Sequence, residues 1–244
     1  IYNNFGGKYF TYENAGLIDS FSDDIEESYI KNKCTEQEKY ILLTSLLFAI
    51  DKVANTIGQY DAFLKHIGRN DYNNFGKHLI DSNVYKRIKL KIPSINFDGN
   101  NEVYNEDANN LIRKIEGDVL YLDPPYNNRQ YIDCYHVLEN IMRWNKPELY
   151  GKTRKFYRDN LKSKYSKKKE AVIAFKDLID NAKVNHIFLS YNNEGIIPDD
   201  SIVEILRKKG ILEKYEKEYN IFGNGAGKSN KRKILERIFY CKVK

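Results

Sequence analysis

The sequence predicts an α/β fold, and three observations carry that expectation. Val119–Leu122 and His186–Tyr191 are short runs of β-branched, aromatic and aliphatic residues that end in polar ones, as buried strands do. Segments with helical spacing separate them. Two further strand-like runs, Tyr215–Tyr219 and Ile234–Val243, suit an antiparallel hairpin at a sheet edge. A length of 244 residues suits one large or two small domains, and the chain divides into a helical region, 1–92, with possible target-recognition elements, and an α/β region, 93–244.

Taken in order, Tyr2–Thr11 with its Gly6-Gly7 pair predicts an ordered loop, and a helix follows from about Glu13 to Lys31. Thr35 with Glu38 three residues on forms a capping box for a second helix reaching about Ile57. Ile41, Leu42, Leu43, Leu46, Leu47, Phe48 and Ile50 surround most of its circumference, which predicts a helix buried on all sides. Asp71–Gly76 is rich in turn formers, Tyr85–Ile95 alternates basic and apolar residues like a strand, and Asp98-Gly99-Asn100 is a turn signal. A short helix should run through Ile115. Tyr135, Leu138, Ile141 and Met142 place another over Asp133–Trp144, closed by Pro147. Glu170–Ala182 and Ser201–Lys209, the latter stopped by Gly210, complete the helices.

Composition narrows the function. No apolar run reaches the roughly 18 residues a membrane helix needs, and there is no signal-peptide pattern. Cys34, Cys134 and Cys241 are too far apart for a metal site and odd in number, so they read as reduced thiols of a cytoplasmic protein without a structural metal. A net charge of +6 permits nucleic-acid binding, and its distribution favours it. Lys152–Lys169 holds nine Lys or Arg against one acid, interleaved with Phe156, Tyr157 and Tyr165; Gly227–Lys244 holds seven against one. Basic side chains mixed with aromatic rings suit phosphate contact and base stacking, from which Lys167, Lys168 and Lys228 are candidate DNA contacts. A solvated lysine-rich surface is the competing reading of either cluster. The run Phe222–Ser229 looks superficially like a nucleotide-binding loop, but only three residues separate Gly223 from Gly227 and no helix follows it.

The chain is organised around Asp118–Tyr131. Val119–Leu122 must stop at Asp123, because Pro124 and Pro125 donate no ladder hydrogen bonds and each disfavours helix in the residue before it. A carboxylate, stiff carbonyls and the Tyr126 ring then stand at the C-terminal edge of a strand, where open α/β sheets bind ligands. That set suits a flat ring bearing an amine. Asp123 Oδ and the Pro124 carbonyl can accept its two N–H groups and expose the nitrogen lone pair, while Tyr126 stacks on the ring. The competing reading is an ordinary strand-to-turn junction.

Asp123-Pro124-Pro125-Tyr126 after an apolar strand resembles the catalytic motif of amino-group DNA methyltransferases. The longer run Tyr121–Tyr131, followed by Tyr135-His136-Val137-Leu138-Glu139, is similar to the N6-adenine enzymes of restriction–modification systems. The resemblance implies a Rossmann-like S-adenosylmethionine-dependent methyltransferase fold: a mixed sheet with a C-terminal antiparallel hairpin and a helical N-terminal region. It implies methyl transfer from S-adenosylmethionine to N6 of an adenine flipped from duplex DNA. Catalysis then falls to Asp123, Pro124, Pro125 and Tyr126, and cofactor binding to Asp107, Ala108 and Asp123, although Asp107 equally suits helix N-capping. Asn55, Tyr60 and Lys65 resemble residues of a segment preceding target recognition and are placed near DNA or the flipped base. Arg129, Gln130 and Tyr131 are placed on the DNA strand, and Tyr191 in a wall of the adenine pocket. His136 is left out of the chemistry as a packed histidine. The Gly-rich Phe-x-Gly-x-Gly turn that holds the methionine end of the cofactor in such enzymes has no counterpart before Ile95. An upstream segment supplies it, or a partner chain does, or the protein no longer binds cofactor. The alternatives are a DNA-binding subunit or split enzyme inert by itself, or an enzyme acting on cytosine N4 or RNA.

Overall fold

The computed structural model describes residues 1–64, 82–96, 99–220 and 233–244. Lys65, Lys228, the Asp71–Gly76 turn, Asp98 and the Phe222–Ser229 loop lie outside the described residues. In chain order the elements are α1 (Tyr2–Phe5), α2 (Tyr12–Ile30), α3 (Glu36–Asp51), α4 (Ala108–Leu111), β1 (Gly117–Leu122), α5 (Tyr131–Cys134), α6 (His136–Arg143), α7 (Ala171–Asn181), β2 (Val184–Asn192), α8 (Asp199–Lys209), β3 (Gly210–Asn220) and β4 (Lys233–Val243). They form two compact units, one of Ile1–Gly99 with Tyr131–Asn160 and the other of Asn100–Gln130 with Leu161–Lys244.

The first unit is helical. Thr11 caps α2 by accepting from Asn14 N, and the expected capping box opens α3, with Thr35 and Glu38 bonded reciprocally. Only one side of α3 is buried, through Leu43, Leu46, Ala49 and Ile50. Phe48 is 59% and Tyr40 54% exposed, so the expectation of a helix buried all round is corrected: the apolar residues exceed the surface the unit covers. The helix also stops at Asp51 rather than near Ile57. Beyond it Asn55 N donates to Tyr9 O and Leu64 N to Asn55 O, bonds that hold the segment as an anchored loop. Tyr2–Phe5, expected as loop, makes one helical turn. Residues 85–95, expected as a strand, form none: Tyr85 ends a short 3-10 turn begun at Ser82, the rest is irregular, and the side chains of Asn14 on α2 and Ser45 on α3 bond its backbone instead. The helix expected over 133–144 is broken at Tyr135, where the Cys134 carbonyl accepts from Tyr60 N at 2.6 Å instead of continuing a helical ladder.

The second unit is a four-stranded mixed sheet in the order β1-β2-β4-β3. β1 and β2 are parallel, with Leu122 opposite Leu189; β4 runs antiparallel to both β2 and β3. The C-terminal hairpin is therefore as expected. Ile187, Leu189 and Tyr191 alternate onto one face of β2 and meet Phe175, Leu178 and Ile179 of α7, Ile202 and Leu206 of α8, and Phe239 and Cys241 of β4. The strand carrying the Asp-Pro-Pro-Tyr motif was expected to be buried, but it is an edge strand. Among the described residues it pairs on one side only, and Val119 and Tyr121, 59% and 61% exposed, share the face of the strand opposite Leu120 and Leu122, which pack on the core.

Candidate active site

Parallel pairing brings the C-terminal ends of β1 and β2 to one edge of the sheet, so Asp123–Tyr126 leave the sheet beside Tyr191 and Asn192. The prolines end β1 at Leu122, one residue before the acid. Asp123 is exposed, and its Oδ1 accepts the Tyr126 hydroxyl at 3.0 Å. The Tyr126 ring meets Tyr191 edge-to-face, at 80° with centroids 5.7 Å apart. Tyr191 itself is 1% exposed, and its hydroxyl accepts from Ile197 N at 3.1 Å. It therefore stands behind Tyr126 as a brace and offers no open face. Burial pushes its phenol above the ordinary tyrosine range, against the lowering by the Ile197 and Ile196 N–H groups, so it stays protonated near neutrality.

The loop after the motif is fastened at three points. Ile196 N donates to the Tyr126 carbonyl at 2.8 Å. Ser166 Oγ donates to the Arg129 carbonyl at 3.1 Å. Gln130, 8% exposed, exchanges two bonds with the backbone of Ser163, Nε2 to O at 3.0 Å and Ser163 N to Oε1 at 2.7 Å. Asn127 Oδ1 accepts Arg129 N at 2.9 Å and tightens the turn. Gln130, expected on the DNA, has its amide turned into the protein as a clamp. Arg129 and Tyr131 are exposed. Nothing local in the sequence marks Ser163, Ser166 or Ile196 as supports of this loop, because the pairing that gives them that role is long-range.

Among the described residues no strand precedes Asp107; residues 99–107 are irregular, and the expected strand-end acid is instead the N-cap of α4. Its Oδ1 accepts Asn109 N at 3.0 Å and Asn110 N at 3.1 Å. Asp107 and Ala108 are exposed. Beneath them Asn109 donates to the Ala174 carbonyl at 2.8 Å and to Asp177 Oδ2 at 2.7 Å, and accepts the Tyr165 hydroxyl at 3.0 Å. Burial, with the negative charges of Asp107 and Asp177, pushes Tyr165 well above the ordinary phenol range.

Asn55 and Tyr60 were expected near DNA. They are 1% and 0% exposed in the helical unit, with Asn55 Nδ2 donating to the Lys8 and Leu64 carbonyls and Tyr60 OH to Asp51 Oδ1. The Asn55 amide is bound into the interior because this loop has no secondary structure to satisfy nearby backbone carbonyls, whereas the Tyr60 hydroxyl is held by a carboxylate. His136 is fully buried as expected, with Nε2 2.8 Å from Thr153 O and Nδ1 3.2 Å from Asp133 O. The basic cluster of 152–169 is divided between the units. Lys155 and Arg158 pair with Asp133, Lys167 pairs with Glu170, and Phe156 and Tyr165 are buried, leaving Tyr157 as the exposed ring. Lys168 is exposed.

Comparison with known proteins places this geometry. Residues 4–205 match the family model of D12 class N6 adenine-specific DNA methyltransferase. The chain is 39% identical over 239 residues to modification methylase StsI of Streptococcus sanguinis, covering 97% of this chain and 35% of that protein. It is 40% identical over 211 residues to type II methyltransferase M.FokI of Planomicrobium okeanokoites, covering 85% and 30%. To type II methyltransferase M.NlaIII of Neisseria lactamica it is 39% identical over 217 residues, covering 88% and 60%. The chain thus spans about a third of the length of the first two relatives. No solved structure matches. With a matched span that includes the braced Asp-Pro-Pro-Tyr edge, the chain belongs to the D12 class N6 adenine-specific DNA methyltransferase family.

Proposed function

We propose that this chain carries the amine-handling site of an adenine-N6 methyltransferase of a restriction–modification system, acting in the cytoplasm on duplex DNA. The single observation that carries the reading is the exposed Asp123 carboxylate, aligned by Tyr126 at the carboxyl edge of the sheet. The flipped adenine presents two N6–H bonds. Asp123 accepts one and the Pro124 carbonyl the other, which withdraws the nitrogen lone pair from the ring and turns it outwards. Pro124 and Pro125 hold the carbonyls at fixed φ, and Tyr126, braced by Tyr191, covers the ring. Positioning of this kind is worth about 7–11 kcal/mol in the best intramolecular cases, which is why the loop's three fastenings matter. Flipping itself costs a few kcal/mol. Arg129, Tyr131, Lys167 and Lys168 face the DNA in this reading.

The residues present fit one end of S-adenosylmethionine. Asp107 and Ala108 are exposed at a helix start, and both N–H bonds received by Asp107 go to one oxygen. They would hold the cofactor's adenine, with Asp123 shared between cofactor and substrate. When bound, the cofactor supplies an electrophilic methyl on a sulfonium. Its methionine end needs the Gly-rich turn, which in this reading comes from an upstream segment or a partner chain. β1 ends the sheet among the described residues, and its face bearing Val119 and Tyr121 is uncovered; both support that completion and a Rossmann-like sheet.

Asp123→Ala tests the reading. Transfer of labelled methyl groups to an adenine-containing duplex should be abolished while DNA affinity stays within a few fold. Unchanged turnover in that variant refutes the mechanism. Calorimetric titration of the chain with S-adenosylmethionine locates the missing turn: heat from the 244 residues alone places it within them, and silence places it elsewhere.

A further inference from the structure

A second surface of the helical unit has a chemistry that the motif residues do not use. The C-terminal half of α3 and residues 83–93 enclose a groove of about 970 Å³ whose lining includes Lys52, Lys86, Arg87, Lys89 and Lys91. The backbone that presents these cations is pinned. Asn14 Nδ2 donates to the Lys86 carbonyl and Asn14 Oδ1 accepts Ile88 N, both at 2.9 Å, while Ser45 Oγ donates to the Lys91 carbonyl at 2.6 Å. Ile88, 4% exposed, anchors the segment and turns its neighbours Arg87 and Lys89 outwards.

The charges are little compensated. Among the described residues Lys52, Lys89 and Lys91 are exposed and have no acidic partner; Lys86 reaches only Asn83 Oδ1, and Arg87 stands 3.9 Å from Glu13 with both side chains 68% exposed. Among the described lining residues Asp51 is the one acid, and it accepts the Tyr60 hydroxyl at 3.2 Å. The cations of 152–160 differ, since Lys155 and Arg158 are already paired with Asp133. Phe48 and Ile92, 59% and 84% exposed, give the groove apolar lips.

We propose that this groove takes the phosphodiester backbone of duplex DNA. The proposal rests on the reading of the chain as part of a DNA methyltransferase. Lysines on a pinned segment act as point charges that suit phosphate oxygens, and such contacts set position and affinity rather than sequence choice. The apolar lips lie against deoxyribose.

The test is fluorescence anisotropy of this chain with a labelled duplex across a sodium chloride series. The chain with Lys52→Gln, Lys89→Gln and Lys91→Gln together should show a slope of log K against log salt shallower by about 2.7, roughly 0.9 per phosphate contact. Arg at the same three positions should preserve the wild-type slope. All three residues are exposed, so the circular dichroism spectrum should not change. Wild-type binding with an unmoved slope in the Gln variant overturns the groove and leaves the methyltransferase reading intact. Failure of the wild type to bind any duplex overturns the DNA reading and the groove with it.

Discussion

Asn55 and Asp123 both sit in polar stretches that follow an apolar element, yet the two units treat them oppositely. In the helical unit Asn55 is drawn inside, together with Tyr60, Asn14 and His136, and backbone carbonyls or amides occupy most of their polar atoms. In the sheet unit Asp123 stays exposed at the end of a strand, while neighbouring side chains are bonded to hold its loop in place. Regular strands satisfy their own backbone, so polar side chains at the strand ends remain for a ligand. Irregular loops have no such ladder and consume polar side chains as internal partners.

The strongest way to break this contrast is Gly195→Ala. A Cβ there would fall 2.0 Å from Cε1 of Tyr191, a buried ring held by its hydroxyl. The ring must move, and Tyr126 loses its brace. We expect a destabilisation of about 1–3 kcal/mol, in the range of overpacked cores, read by urea denaturation. Methyl transfer, where the wild type shows it, should fall too. A variant of unaltered stability and activity would show that Tyr191 braces nothing.

Asn14→Ala probes the helical unit in the same way. It removes both bonds to the 86–88 backbone and leaves a buried N–H and C=O without their partners, for an expected loss of about 2 kcal/mol. The same variant should weaken duplex binding, because the pinned cations lose their frame. Stability lost without any change in DNA affinity would separate the anchor from the groove.

The smallest effect is that of pH. Burial, outweighing its contacts to the Thr153 and Asp133 carbonyls, lowers the pKa of His136, and the charges of Lys155 and Arg158 lower it further. A base with a depressed folded pKa contributes stability that is present above its unfolded value, about 6.5, and declines as the pH falls below it, because the unfolded chain then binds more protons. Thermal midpoints should therefore drop between about pH 7.5 and about pH 5.5. Replacing His136 by Gln should flatten that part of the profile. Asp133 has the sign of a paired carboxylate: burial raises it, but the Arg158 hydrogen bond and the charges of Lys155 and Arg158 hold it below its usual range. Its contribution is lost only at lower pH.

Much of the architecture was legible because its causes are local. Thr35 and Glu38 meet across one helical turn, and the alternating Ile187, Leu189 and Tyr191 line one face of a strand at period two. The exposure of Phe48 and the break at Tyr135 were not legible, since each depends on a segment distant in sequence. Nor was the grouping of residues 131–160 with the N-terminal helices, which rests on contacts between segments distant in sequence. Sequence alone determined that a strand must end at Asp123 and present a carboxylate, two stiff carbonyls and a ring, because proline's missing N–H acts on its own neighbours. Only the tertiary structure decided which polar residues stayed exposed: Asp123 did, while Gln130, Asn55 and Tyr60 became internal partners, because hydrogen-bond satisfaction is settled by whichever backbone or side-chain groups the fold brings within reach.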